Sequence, residues 1–290
     1  MTVLLDPWGA TLVEDYERLL KEFGLEPFTQ SLFPEPNRLM RRGIVFAGQD
    51  LQIIADCIKK KKPYYALSGI MPSGEKLHLG NKMVVEHLRY FQDHGAKTYI
   101  LVADLESAAA RGVSIEEARQ RALGFHIPAY IALGLDPKKT IFYFQSDNME
   151  VVKIAFAASK KITLNEFRAT YGVADPGRIL SSLAQIGDML YPQLEQRMPG
   201  IIPVGIDQAP HLRLARDYIR RAKDQKYFLL SSLYHKFTPA LNGDFKMSKS
   251  VPDSCIELPE DLDSLQRKIQ NRLSHFYHNL TTNGLLIFIH

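Results

Sequence analysis

The chain has 290 residues, 46% of them hydrophobic and 23% charged, a balance that fits a folded globular protein with a sizeable core and excludes disordered, collagen-like and fibrous classes. No apolar run approaches the roughly 18–20 residues that cross a bilayer, and the N-terminus lacks the basic and apolar regions of a secretory signal. Cys57 and Cys255 are the only cysteines, which excludes a disulfide scaffold and a Cys-based zinc site. The expectation is a soluble, cytoplasmic protein with no membrane partner. A net charge of +4 is too small to establish a nucleic-acid partner. Four local basic clusters, Arg41-Arg42, Lys59-Lys60-Lys61-Lys62, Lys160-Lys161 and Arg220-Arg221, read first as solvated faces or helix ends, with polyanion contact as the second reading.

Residues 11–23 carry Leu12, Tyr16, Leu19, Leu20 and Phe23 at helical spacing and stop at Gly24, which predicts a helix closed by a glycine. Residues 27–37 read as a loop, and 51–58 as a second helix running into the four lysines. From Pro63 strands alternate with helices. The strands are predicted over 64–68, 98–103, 140–145 and 201–205, as short apolar runs of the kind buried in parallel sheets. The helices are predicted over 78–94, 114–133, 149–171, 178–190 and 208–222, with Ser114 and Glu117 at capping-box spacing. This alternation predicts an α/β fold with a Rossmann-like, doubly wound, mostly parallel sheet. Ligands of such sheets sit beyond the carboxyl ends of the strands.

Two motifs carry chemistry. Pro72-Ser73-Gly74-Glu75-Lys76-Leu77-His78-Leu79-Gly80-Asn81 lies between a predicted strand and a helix, where free backbone N–H groups and the helix dipole favour a phosphate. His78 could add an imidazole N–H there, and Gly80 would let a base or ribose approach the backbone. A Walker loop is excluded because Glu75 and Lys76 stand where Lys and Ser/Thr are required. The second motif is Lys246-Met247-Ser248-Lys249-Ser250. Two lysines and two serines on one turn can supply positive charge and hydroxyl donors to a polyphosphate as its leaving group forms. His87 and His94 are seven residues apart on a predicted helix, but no cysteine or carboxylate cluster accompanies them, so they read as surface histidines and no metal site is predicted.

His78-Leu79-Gly80-Asn81 resembles the HIGH signature, and Lys246 to Ser250 matches the KMSKS signature, of class I aminoacyl-tRNA synthetases. Gly205-Ile206-Asp207-Gln208, continuing through Arg213, Arg216 and Asp217, resembles the strand–helix junction of the tryptophanyl and tyrosyl subgroup. Asp6-Pro7-Trp8, Arg41-Arg42-Gly43, Lys160-Lys161-Ile162-Thr163 and Tyr171-Gly172 are similar to the archaeal and eukaryotic tryptophanyl type. The resemblance runs from about residue 6 to residue 258. It implies an N-terminal helical extension over 1–62, a Rossmann-like catalytic domain over 63–245, and over 246–290 the KMSKS loop with a truncated remnant of a helical anticodon-binding domain.

The resemblance further implies ATP and Mg²⁺ as cofactors, L-tryptophan and tRNA(Trp) as partners, and a homodimer. By position it places catalysis on His78, Lys246 and Lys249, and ATP binding on Gly80, Asn81, Asp207, Met247, Ser248 and Ser250. It places the amino acid among Leu67, Leu101, Glu106, Gln185, Asp188 and Gln208. Glu106 and Gln185 are acceptors suited to an ammonium, and Asp207 is a carboxylate at a strand end suited to ribose hydroxyls. Three departures stand out. Asn81 replaces the second His of HIGH and cannot become cationic, which predicts slower adenylation. Leu67 and Leu101 replace polar residues near the substrate's ring; an apolar pocket discriminates by only about 10–200-fold per methylene, against about 10⁴–10⁵ for a polar one, so Asp188 is the candidate acceptor for the indole N–H. Only some forty residues follow KMSKS, which predicts retained amino-acid activation with weak tRNA charging. A tyrosyl enzyme, an adenylating paralogue and a non-catalytic binding protein are the competing readings.

Overall fold

A computed structural model describes residues 16–172, 175–223, 227–242, 247 and 254–282. The strands are β1 (Glu26–Pro27), β2 (Val45–Gln49), β3 (Tyr65–Ile70), β4 (Leu77–His78), β5 (Lys97–Val102), β6 (Thr140–Phe144), β7 (Gly200–Gly205), β8 (Ser231–His235) and β9 (Glu257–Leu258). The helices are α1 (Tyr16–Phe23), α2 (Arg38–Arg41), α3 (Leu51–Lys59), α4 (Leu79–Asp93), α5 (Asp104–Arg111), α6 (Ile115–Arg121), α7 (Ile127–Ala132), α8 (Met149–Ser159), α9 (Leu164–Tyr171), α10 (Pro176–Leu190), α11 (Pro192–Glu195), α12 (Ala209–Arg221) and α13 (Leu262–Thr282). The chain divides into two compact units, Met1–Glu75 with Met83–Lys236, and Lys76–Lys82 with Phe237–His290.

The first unit holds a seven-stranded sheet in the order β1-β2-β8-β7-β3-β5-β6. Strands β8, β7, β3, β5 and β6 are parallel, and β2 and β1 add an antiparallel edge. The predicted doubly wound α/β sheet is therefore present. Its first parallel strand, β3, sits in the middle, so the winding reverses between β3 and β7, the position where such sheets bind ligands. The core beneath runs through Tyr65, Leu67, Tyr99, Leu101, Ile186, Met189, Ile202 and Leu212. Gly187 lets α10 lie against α8: a Cβ there would stand 2.4 Å from the Val151 carbonyl oxygen.

The structure departs from the sequence reading in several places. The N-terminal segment supplies two strands as well as helices; β1 is too short to show alternation, and β2 carries Ala47 and Gly48, poor strand formers. The predicted helix over 149–171 is two helices. Thr163 caps α9 with a full capping box to Glu166, a local start signal that outweighs continuous helical propensity. The helix over 114–133 forms but contains a π-type turn over Ala122–His126. Of the predicted first helix, residues 11–15 lie outside the described residues. Among the described residues no helix is long and apolar enough to cross a membrane.

The second unit contains the β4–β9 pair, the first turn of α4, and α13. A small cluster of Ala240, Met247 and Cys255, with Leu79 and Leu241 packed on it, forms its core. Lys268 of α13 is buried, ion-paired to Glu260 at 2.5 Å and donating to the Cys255 carbonyl.

Candidate active site

In the first unit, of the predicted amino-acid residues, Glu106 and Gln208 follow the carboxyl ends of β5 and β7, Leu67 and Leu101 lie within β3 and β5, and Gln185 and Asp188 lie in α10. Glu106 lies in α5, after β5, and is 5% exposed. Gln185 of α10 donates its amide to both carboxylate oxygens of Glu106 at 3.0 Å. One helical turn further on, Asp188 is fully buried and accepts hydrogen bonds from Tyr143 Oη at 3.0 Å and Gln145 Nε2 at 2.5 Å. Burial pushes the Asp188 carboxyl up to about 7; the bonds from Gln145 and Tyr143 oppose the rise, and the Glu106 and Asp104 charges add to it. Burial beside that carboxylate also holds the Tyr143 phenol well above its ordinary value.

Leu67 and Leu101 belong to the same apolar core as Ile186 and Met189, the residues flanking Gly187 and Asp188. Leu101 pairs with Tyr143 across the β5–β6 ladder. Apolar core residues and a buried carboxylate therefore occur together in this part of the first unit. Asp207 and Gln208 lie in the turn after β7, at the entry of α12, with the Gln208 amide 3.4 Å from an Asp207 carboxylate oxygen. Sequence reasoning misses Tyr143 and Gln145 altogether and gives Tyr171 and His211 no role. Tyr171 Oη stands 2.7 Å from His211 Nδ1, and burial lowers that imidazole to about 3, so it is neutral. The signal that could have found Tyr143 and Gln145 is their position at the carboxyl end of a predicted parallel strand.

In the second unit, His78 closes β4 and pairs with Glu257 of β9. Its imidazole folds back so that Nδ1 accepts the Gly80 backbone N–H at 3.0 Å, while Asn81 Oδ1 accepts the His78 N–H at 3.0 Å. The bond to Nδ1 fixes the tautomer, leaving the proton on Nε2. Gly80 is required for this arrangement, because a Cβ there would lie 2.7 Å from His78 Cε1. Lys76, at the position that excluded a Walker loop, is ion-paired to Glu257 at 2.7 Å. Met247, the second residue of the KMSKS match, is buried with Leu79 of the HIGH-like segment in one cluster, and its N–H donates to the Thr238 carbonyl at 2.9 Å. Met247 and the His78–Asn81 segment, some 170 residues apart, thus belong to one compact unit. Lys246, Ser248, Lys249 and Ser250 lie outside the described residues.

Several residues of the predicted basic clusters are ion-paired. Arg221 is ion-paired to Glu166 at 2.5 Å, Arg220 to Asp217 at 2.8 Å and Lys60 to Asp56 at 2.6 Å, the solvated-face reading for those clusters. His87 corrects the surface reading: it is fully buried, stacked on His235 with ring centroids 5.5 Å apart, and its pKa is lowered by burial and by His235.

Residues 59–276 match the family model for class I tRNA synthetases (W and Y). The chain is a class I tRNA synthetase of that family. This synthetase is 39% identical to a tryptophan–tRNA ligase of Methanocaldococcus jannaschii, over 91% of the chain and 74% of the relative. It is 40% identical to that of Aeropyrum pernix, over 93% and 75%. Among solved structures, the Aeropyrum pernix tryptophanyl-tRNA synthetase superposes with a TM-score of 0.83 at 41% identity, covering 91% of this chain and 74% of that one. A tryptophanyl-tRNA synthetase from Encephalitozoon cuniculi bound to tryptophan gives a TM-score of 0.76 at 27% identity, covering 88% and 77%.

Proposed function

We propose that this synthetase is a tryptophan–tRNA ligase. It activates L-tryptophan with ATP to tryptophanyl-adenylate, releasing pyrophosphate, and passes the tryptophanyl group to tRNA(Trp), releasing AMP. The observation that carries the choice of tryptophan is Asp188, a buried acceptor held by Tyr143 and Gln145 on the helix whose Ile186 and Met189 share an apolar core with Leu67 and Leu101, together with identities of 39% and 40% to archaeal tryptophan–tRNA ligases.

The reaction needs no covalent enzyme intermediate. The amino-acid carboxylate attacks the α-phosphorus in line and pyrophosphate leaves; a terminal ribose hydroxyl of the tRNA then attacks the mixed anhydride and AMP leaves. Catalysis is therefore positioning plus charge stabilisation. Glu106 and Gln185 suit the substrate ammonium: their mutual hydrogen bonds of 3.0 Å hold the acceptors in place. Asp207 suits ribose hydroxyls and Gln208 the substrate carboxylate. His78, with its Nε2 proton, and Lys246 and Lys249 would meet the negative charge that builds on the pyrophosphate. Mg²⁺ enters with ATP as the counterion of its phosphates; among the described residues no three His, Cys, Asp or Glu side chains form a metal cage.

ATP–pyrophosphate exchange with each of the twenty amino acids tests the reading. The expected result is exchange with tryptophan and little with tyrosine. Exchange with tyrosine at equal or higher efficiency would reassign the substrate, and none with any amino acid in folded protein would refute the enzyme.

A further inference from the structure

We propose that a cavity in the first unit, outside the residues assigned to ATP and the amino acid, receives a phosphate-bearing nucleotide of the bound tRNA. The cavity has a volume of about 430 Å³ and is lined from α1, the end of β2, and α12, large enough for a nucleotide rather than a bare anion. Arg213, Arg216 and Arg220 reach it from one face of α12, and Lys21 and Gln49 from the other walls.

The donors divide into committed and uncommitted. Arg216 is buried and ion-paired to Asp50 at 2.6 Å, and its guanidinium also donates to the Leu230 carbonyl. Arg220 is paired with Asp217 at 2.8 Å. Glu22, the other acid of the wall, is paired with Arg18 at 2.9 Å. What remains is Arg213, Lys21 and Gln49, whose side chains make no ion pair or hydrogen bond among the described residues. The carboxylates are neutralised, and the uncommitted groups are two cations and an amide. A ligand that completes this wall is an acceptor-rich anion, which describes a phosphodiester and excludes a cation or an apolar group. The cavity also reaches Ala209, next in sequence to Gln208. Of the phosphate sources, RNA is favoured because the ATP triphosphate is met by His78 and the lysine motif in the proposed reaction.

This inference rests on tRNA being the second substrate, and its test separates the two claims. In the full chain, the Lys21→Ala/Arg213→Ala double variant should weaken tRNA binding about tenfold and reduce the slope of log affinity against log salt by roughly 0.7–0.9 for each phosphate no longer neutralised. ATP–pyrophosphate exchange should stay within about twofold of wild type. Lys138→Ala, at an exposed lysine with no ion pair among the described residues, controls for general loss of positive charge and should leave affinity and slope nearly unchanged. Should the double variant lower stability, Lys21→Gln/Arg213→Gln keeps the stems and should show the same loss. Unchanged tRNA affinity relative to the Lys138→Ala control would overturn the proposal. A parallel loss of exchange would also overturn it, by placing the cavity in the activation step. If the wild type exchanges no amino acid, the ligase reading fails, and the tRNA titration still decides the cavity.

Discussion

In the first unit, the groups proposed to hold the amino acid are tied to one another in advance: Glu106 to Gln185, and Asp188 to Tyr143 and Gln145, all at 2.5–3.0 Å. In the second unit, the groups proposed for phosphate chemistry rest on a two-residue strand pair and on backbone hydrogen bonds around His78, over a core of three buried residues with Leu79 and Leu241. The contrast follows from the two tasks. Telling aromatic amino acids apart needs a polar atom fixed in an apolar wall, since a misplaced acceptor would serve either ring. Stabilising a departing pyrophosphate needs charge brought to a diffuse anion, which tolerates a lighter scaffold.

The largest test of that contrast is Lys249→Ala. If the second unit supplies charge and no recognition, the variant should lower the maximal rate of ATP–pyrophosphate exchange by about 10²–10³-fold and leave tryptophan affinity, measured by equilibrium binding, almost unchanged. An unaltered exchange rate would remove Lys249 from the mechanism, and a parallel loss of tryptophan affinity would dissolve the division of labour.

Next comes Asp188. Replacing it by Ala leaves a buried ring N–H unpaired in the complex, which should raise the KM for tryptophan about 10–100-fold. The pH dependence sharpens this. The native carboxyl keeps its proton up to about pH 7, whereas its ordinary value is 3.8, so between those values the unfolded chain binds fewer protons than the folded one. Stability contributed by this group therefore falls by a few kcal/mol as pH rises from about 4 to 7, and levels off above 7. Tryptophan binding should move the other way, tightening as the pH passes 7 and the stronger, ionised acceptor forms. Asp188→Asn should flatten both profiles, read by denaturant titration and by KM. A wild-type KM independent of pH from 6 to 8 would mean that Asp188 does not face the ring.

Much of the first unit was legible in the sequence because four of its five parallel strands, β3, β5, β6 and β7, are short apolar runs. Strands β3, β5, β6 and β7 lie where predicted, within a residue or two of their ends. The missed strands are those whose identity is set by partners. β8, Ser-Ser-Leu-Tyr-His, is too polar to read as an apolar run, β2 pairs antiparallel with it, and β1, β4 and β9 have two residues each. Asp188 was legible as a candidate from its spacing to Gln185, but its raised pKa and its partners Tyr143 and Gln145 depend on the α8, α10 and β6 packing, in which Gly187 permits a close approach that no motif encodes. His87 reads wrongly as a surface residue because a helical histidine carries no mark of the neighbour it stacks on, here His235.

Gly80→Ala probes the lighter scaffold at smaller amplitude. The added methyl would stand 2.7 Å from His78 Cε1 and 2.9 Å from Nδ1, so the imidazole must rotate away and surrender the Gly80 N–H. Exchange should fall about tenfold through its maximal rate, since a displaced proton donor costs positioning and leaves the rest of the site in place. Tryptophan affinity and melting temperature should change little. A wild-type rate in this variant would show that the folded-back imidazole is not the active orientation.

The smallest effect is expected at Asn81, where two consequences oppose each other. Its Oδ1 accepts the His78 N–H at 3.0 Å, a cap-like bond worth about 1 kcal/mol, so losing it should slow exchange about fivefold. Asn81→His forfeits that bond but introduces a group that becomes cationic near pH 6.5 and can then stabilise the same phosphate charge. The variant should be about fivefold slower than wild type at pH 8, and the gap should close as pH falls toward 6. A gap that stays constant with pH would leave the second histidine of the signature without an electrostatic role here, and no gap at any pH would show that the Asn81–His78 bond does not position the imidazole.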